Sequence, residues 1–248
     1  MPSFGALPPS DPPGGSAAGT LPAEQLAAFA EPETDVALWA VVFAGGIGSR
    51  FWPLSTPARP KPLLALVSEQ TLIEETVGRL QPAIPPERVL ILTSRDIAPA
   101  IRSVTRDVPE ENVLVEPRPL GTAAALAWGA QELARRAGPS AMCVAIHADL
   151  AVDFPEEFRR TLRRAAAYAA RESALVSVGI QPSRPETGFG YVVPGPALDP
   201  DQPLSRGGAA TTLRYLEKPS EHEAEQLINN GCRWHGGILV GSAETILA

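Results

Sequence analysis

From Val36 onward, short apolar runs alternate with longer segments whose apolar residues recur at helical spacing. This alternation predicts an α/β fold, because strands buried on both faces read as near-continuous apolar runs and parallel neighbours need helical crossovers. Strands are expected at Leu38–Phe43, Arg88–Thr93, Asn112–Val115, Ala141–Ile146 and Ala174–Gly179. Crossover helices are expected at Thr71–Leu80, Ile97–Arg106, Thr122–Arg136 and Pro155–Arg171. In the first of these, Leu72, Ile73, Thr76, Val77 and Leu80 share a face. The last opens with Pro155 and two glutamates and carries its arginines further along, as the helix dipole favours, so its basic run reads as a solvated face.

Past Gly179 the texture loosens into turn residues up to Gly208, with a short strand at Tyr191–Val193, and this stretch reads as an insertion over the sheet. "TTLRYLEKPS" then predicts a strand, "EHEAEQLINNG" a helix with a glycine after it, and "WHGGILVG" another strand. Residues 1–34 are rich in Pro, Gly, Ala and Ser and hold too little apolar surface to offset the entropy of ordering, so they read as a disordered tail with at most a helical turn at Pro22–Ala30. One main domain is expected over residues 35–248.

Composition narrows the function classes. A net charge of −7 gives no electrostatic footprint for nucleic acid. No apolar run reaches the roughly 20 residues of a spanning helix, and the amino terminus lacks the basic start and apolar stretch of an export signal. These features predict a cytoplasmic protein with no membrane partner. Cys143 and Cys232 are far apart in sequence and read as free thiols, and the Cys232–His235 spacing lacks a second pair to complete a zinc site.

The candidate chemistry sits after the first strand, in "FAGGIGSRFWPLSTPARPKPLLAL". Open α/β sheets place ligands at the carboxyl ends of their strands, and glycines there let backbone N–H groups approach a phosphate. Ala44, Gly45, Gly46, Gly48 and Ser49 provide such a loop. The dinucleotide fingerprint fails, since Phe51 stands where its third glycine belongs, and the P-loop pattern is absent. Spacing alone is equally consistent with a tight turn. Arg50 and Lys61 shift the balance: two cations on a proline-stiffened segment suit a triphosphate, the arginine as a fork and the lysine as a movable point charge.

The spaced set Gly46, Gly48, Arg50, Pro53, Leu54 and Ser55, followed by Pro60 and Lys61, resembles the signature of the sugar-phosphate nucleotidylyltransferases, the nucleotide-sugar pyrophosphorylases. The Trp before Pro-Leu-Ser looks most like the branch that makes GDP-mannose, the mannose-1-phosphate guanylyltransferases. The resemblance extends in order from about Leu38 to the end. "VEPRPLGTAAALAWGA" is similar to a nucleotide-holding E-P-x-x-x-x-T-A segment, "IHADLAVD" to a P-[AS]-D-H segment, "ETGFGYV" to a sugar-side T-x-x-G-Y pattern, "LEKPS" to E-K-P, and "WHGGILVG" to W-N-[SA]-G-[IM].

The resemblance implies the nucleotide-diphospho-sugar transferase fold, a Rossmann-like mixed, mostly parallel sheet flanked by helices. It implies transfer of a nucleotidyl group from a nucleoside triphosphate to a sugar 1-phosphate, GTP to mannose 1-phosphate or else the making of an ADP-, UDP- or dTDP-sugar, with Mg²⁺ as cofactor. Arg50 and Lys61 take the catalytic roles and Asp149 the metal. The nucleotide falls to Ala44, Gly45, Gly46, Gly48, Ser49, Glu116, Gly121 and Thr122, with Thr122 also placed to cap a helix. The sugar phosphate falls to Gly190, Glu217, Lys218 and His235.

Three positions depart from the pattern: Leu150 replaces a His, Leu120 an Arg, and His235 the Asn of W-N-x-G. For His147 and His235, packing or hydrogen bonding is favoured over catalysis. The family's later aspartate segment, which supplies a second metal ligand, has no counterpart before Ala248, so the expectation is either a truncated domain or a missing ligand. The rival function is a non-catalytic relative that binds nucleotide or nucleotide sugar and regulates a partner. A homo-oligomer is compatible with either.

Overall fold

The computed structural model describes residues 36–46, 48, 51–57, 59–199 and 208–248. The tail expected at 1–34, its helical turn, and the candidate residues Ser49 and Arg50 lie outside the described residues. Eight strands form one mixed sheet: β1 (Leu38–Phe43), β2 (Val89–Thr93), β3 (Val113–Val115), β4 (Met142–His147), β5 (Val176–Ile180), β6 (Gly190–Ala197), β7 (Ala210–Glu217) and β8 (Arg233–Ser242). The helices are α1 (Leu72–Leu80), α2 (Ala98–Val104), α3 (Thr122–Ala137), α4 (Pro155–Glu172), α5 (Glu221–Asn229) and α6 (Ala243–Leu247).

Strand order is β3-β2-β1-β4-β8-β6-β7, with β5 paired to β8 off that path. The first four strands are parallel, and every pairing made by β8 and β6 is antiparallel. Burial follows the pleat. Ala40, Val42, Val144 and Ile146 pack on one face against Ile73, Val77 and Leu80 of α1, Ile101 of α2, and Phe158 and Leu162 of α4. Val41, Leu90, Leu92, Cys143 and Ala145 pack on the other against Leu126 and Leu133 of α3 and Ala243 of α6. A smaller cluster joins Tyr191, Cys232 and Trp234 to Ala224 of α5.

The helices start where local chemistry dictates. Thr71 and Ser220 each form a reciprocal capping box, with Glu74 and Glu223, at the heads of α1 and α5. Two expectations are corrected. Thr122 does not cap α3: Gly121, at φ +91°, is the cap residue and Thr122 begins the first turn. A Gly there reaches a backbone conformation closed to Thr. The stretch after Gly179 is not wholly an insertion over the sheet, for Gly190–Ala197 (β6) joins the sheet and pairs antiparallel with β7 at its edge. Their weak sequence signal follows from exposure, since most of β7 faces solvent and needs no apolar alternation.

The route of β8 shapes everything near the site. Val240 lies between Val144 of β4 and Val176 of β5, whereas Trp234 lies between Tyr191 of β6 and Ile180 of β5. β5 therefore pairs with one edge of β8 on both sides of a register break between Leu239 and His235, while the other edge exchanges β4 for β6. Residues 235–238 span the exchange and have no ladder partner on that edge among the described residues. The sheet forks there.

α3 approaches β1 closely because Gly129 has no side chain: a Cβ at Gly129 would lie 2.8 Å from Val41 Cγ1. Gly78 in α1 is exposed, with nothing within 4 Å of such an atom. Alanine gains about 1 kcal/mol over glycine in a helix, whereas overpacking costs about 1–3 kcal/mol. Gly78→Ala should therefore raise the urea midpoint and Gly129→Ala should lower it; shifts of the same sign in both variants contradict this packing.

Candidate active site

The strand order reverses between β1 and β4, and the crevice outside the carboxyl ends of two such strands is the expected ligand position of an open α/β sheet. Their register sets Phe43 beside His147, with ring centroids 5.2 Å apart. The loop after β1 and the loop after β4 thus leave the sheet side by side. Together they enclose a cavity of about 360 Å³ lined by Phe43, Gly46, Gly48, Phe51, Lys61, Pro62, His147, Ala148 and Asp149.

Backbone bonds hold the first loop down. Ala44 donates to Leu92 O at 2.8 Å, and Thr93 Oγ1 donates to Ala44 O at 3.0 Å. Gly48 adopts φ +75°, its carbonyl accepts from Ser55 Oγ, and a Cβ in its place would collide with the Lys61 side chain. This position requires glycine twice over, once for its dihedral and once for its proximity to Lys61. Gly45 lies against Glu116, where a Cβ would come within 3.1 Å of Oε1. Burial raises the proton affinity of the Glu116 carboxyl.

Lys61 begins a short 3₁₀ turn, Lys61–Leu63, which its flanking prolines predispose. Its Nζ lies 2.6 Å from Asp149 Oδ2 and 4.2 Å from the centre of the Phe51 ring. The two side chains remain 22% and 33% exposed. An ion pair this wet contributes about 0–1 kcal/mol, so opening it for a better partner costs the fold little.

A second group gathers at the fork. Gly190 opens β6 opposite Glu217 at the end of β7, and a Cβ on Gly190 would lie 2.8 Å from Glu217 Oε2 and 3.6 Å from His235 Cβ. The His235 ring meets Tyr215 edge-on, 5.4 Å between centroids. Lys218 sits at φ +48°, its backbone N–H donates to Phe189 O at 3.2 Å, and its Nζ is 3.7 Å from Glu217 Oε1. Burial lowers the proton affinity of His235 and of His147.

Of the residues singled out in the sequence, Gly46, Gly48, Lys61 and Asp149 meet in the cavity, with Ala44, Gly45 and Glu116 along its loop side. Gly190, Glu217, Lys218 and His235 form the second group. Gly121 and Thr122 are exposed at the head of α3 and do not line the cavity. Sequence reasoning missed Phe43, Phe51, Pro62 and His147 as cavity walls. The Gly236–Gly237 pair inside a strand is the signal for a close approach: a Cβ on Gly237 would lie 3.2 Å from His147 Cδ2.

Comparison with known proteins agrees with this geometry. The family described as Nucleotidyl transferase matches residues 39–245. A mannose-1-phosphate guanylyltransferase of Sinorhizobium fredii is 32% identical over 210 residues, 84% of this chain and 40% of that protein. One from Klebsiella pneumoniae is 32% identical over 212 residues, 84% of this chain and 43% of its own. The crystal structure of mannose-1-phosphate geranyltransferase from Thermus thermophilus superposes with a TM-score of 0.75 at 34% identity, covering 85% of this chain and 59% of that one. The chain thus spans about two fifths of the length of the curated relatives it matches. With the glycine loop, the β1/β4 cavity and the fork all inside the matched span, the chain belongs to the nucleotidyl transferase family and has its nucleotide-diphospho-sugar transferase fold.

Proposed function

We propose that the chain transfers the nucleotidyl group of GTP to mannose 1-phosphate, giving GDP-mannose and pyrophosphate. The observation that carries the reading is the cavity at the β1/β4 reversal, where a glycine loop, Lys61 and Asp149 converge next to the fork with its second polar group. The choice of GTP and mannose 1-phosphate draws on the relatives' names.

In this reaction a phosphate oxygen of the sugar 1-phosphate attacks the α-phosphorus of the triphosphate. The bond from that phosphorus to the bridging oxygen breaks, and pyrophosphate leaves with the electron pair. No protein nucleophile is required; alignment and charge neutralisation carry the rate. Backbone N–H groups at Gly46 and Gly48, with Ala44, Gly45 and Ser49, cradle the phosphates, and Lys61 and Arg50 offset the charge that grows on pyrophosphate. Glu116, Gly121 and Thr122 hold the nucleoside end. Gly190, Glu217, Lys218 and His235 receive the sugar phosphate.

Asp149 would hold Mg²⁺. Its carboxylate is a hard oxygen donor in the cavity wall, and Mg²⁺ commonly takes one or two carboxylates and fills its remaining positions with water and substrate phosphates. Among the described residues no three His, Cys, Asp or Glu side chains cluster as a metal cage. When bound, the ion would draw charge from the phosphates. A cytoplasmic setting is part of the same proposal. No described helix is long and apolar enough to cross a membrane.

Pyrophosphate release by the purified chain with Mg²⁺ tests the reading across GTP, ATP, UTP and dTTP, each with mannose 1-phosphate or glucose 1-phosphate. Release should be confined to GTP with mannose 1-phosphate. Lys61→Ala and Asp149→Asn should each lower kcat/KM at least about 100-fold, the scale of one lost transition-state contact. Nucleotide binding without release by the unaltered chain would instead support the regulatory, non-catalytic reading. Gly48→Ala should weaken GTP binding at least about tenfold by displacing Lys61, and should lower the unfolding free energy by at least the strain of a left-handed alanine, about 1–2 kcal/mol, because its Cβ also meets the Lys61 stem. Unchanged affinity in calorimetric titration would detach the loop from the nucleotide.

A further inference from the structure

Helix α1 touches both of the loops that meet in the cavity. At its head the Leu72 N–H donates to Leu64 O at 2.9 Å, and the Leu64 N–H in turn donates to Lys61 O at 3.0 Å. One turn further along, Thr76 Oγ1 donates to Ala148 O at 3.2 Å. Ala148 is the residue before Asp149, and its own N–H donates to Phe43 O at 3.1 Å. Both backbone polar groups of Ala148 are thus tied down, one to the end of β1 and one to α1.

Thr76 is fully buried on the face of α1 that carries Leu72, Ile73, Val77 and Leu80, where an apolar residue would pack. A helical threonine often bonds the carbonyl one turn back, whereas this one reaches a residue 72 positions away. The direction of its proton follows from its neighbours. Arg79 Nη1, 3.4 Å from Thr76 Oγ1, can only donate, and the Ala148 carbonyl can only accept, so the single hydroxyl proton points to Ala148. Arg79 is itself buried and lies 3.8 Å from Glu75, whose carboxylate accepts from Ser68 Oγ at 2.6 Å. Burying a hydroxyl and a guanidinium is costly unless their hydrogen bonds are used. Here they are used on the peptide from which Asp149 projects.

We propose that Thr76 is a positioning residue for Asp149, with α1 as a bracket that fixes the Lys61 turn and the Asp149 peptide relative to each other. The role rests on the transferase reading in which Asp149 holds Mg²⁺. In the free chain the Lys61 ammonium group restrains the Asp149 carboxylate. That restraint is lost when Lys61 moves to phosphate, and the bond from Thr76 to Ala148 O is not. It keeps the backbone under Asp149 in place, so the carboxylate still faces the crevice when a cation replaces Lys61. Thr76 touches neither substrate nor metal and acts only through Ala148. Hydrogen bonds of this kind, behind a metal ligand, command about 10–100-fold in metal affinity.

Two measurements on the whole chain test the bracket, with Thr76→Val, which keeps the branched shape and loses the hydroxyl, set against Thr76→Ser, which keeps the hydroxyl and loses a buried methyl. Both variants should unfold at lower urea concentration, so stability alone does not separate them. In the first measurement Mg²⁺ is titrated at fixed GTP and mannose 1-phosphate. Half-saturating Mg²⁺ should rise at least about tenfold in Thr76→Val and stay within about twofold in Thr76→Ser. The second needs no turnover: amide hydrogen exchange of Ala148 in the free chain should be about tenfold faster in Thr76→Val than in Thr76→Ser, the factor that one hydrogen bond commands. An unchanged Mg²⁺ requirement in Thr76→Val, an equal rise in Thr76→Ser, or equal Ala148 exchange in the two variants overturns the positioning role. If the unaltered chain releases no pyrophosphate with any substrate pair, the transferase reading fails, and the Ala148 exchange rates alone decide whether Thr76 holds this peptide.

Discussion

The site depends on the parallel pairing of β1 with β4, in register from Leu38 beside Met142 to Phe43 beside His147. Because β2 and β3 continue from β1 in one direction and β4 lies on its other side, no crossover covers the carboxyl ends of this pair. Two loops distant in sequence are thereby forced to share one crevice. Each brings one charge, Lys61 from the first and Asp149 from the second, and the two meet at 2.6 Å. The buried strands below supply the rigidity, for Ala40, Val41, Val42, Val144 and Ile146 are fully enclosed by helices on both faces.

The ion pair is better seen as a poised arrangement than as a fold-stabilising one. Partly exposed pairs contribute about 0–1 kcal/mol, whereas a polyphosphate offers Lys61 several charged oxygens in a partly desolvated cavity. Exchange of partner is then favourable and leaves Asp149 available to another cation. Gly48 and Phe51 restrict where Lys61 can go, one by passing close to its stem and the other by facing its ammonium group. The fork in β8 places the second polar group next to this exchange instead of on a distant edge of the sheet.

Much of this was legible in the residues. β1, β2 and β4 lie within a residue or two of their expected limits because burial on both faces leaves uninterrupted apolar runs. The heads of α1 and α4 announce themselves through a capping box and through Pro155 followed by two glutamates. The Gly46, Gly48, Lys61 and Asp149 grouping was legible only through a spaced motif, since pairing between β1 and β4 is a long-range event that no local pattern encodes. The fork was not legible at all: "WHGGILVG" reads as one strand, and nothing local tells that its partner changes midway. Thr122 misleads because a Thr before an apolar run usually caps, yet the positive φ required at that turn went to Gly121. His147 escapes local reading for the same long-range reason, as its place in the cavity wall beside Gly237 follows from strand pairing.

The most direct test of the central claim, that the Lys61–Asp149 pair opens to receive a nucleotide at the β1/β4 crevice, is a crystal structure of the chain with Mg²⁺ and a non-hydrolysable GTP analogue. The account predicts a triphosphate lying along Gly46 and Gly48, with Lys61 Nζ moved from Asp149 onto phosphate oxygens and Asp149 turned toward the metal. A nucleotide bound away from that crevice, or one bound there with the Lys61–Asp149 contact intact, would contradict it.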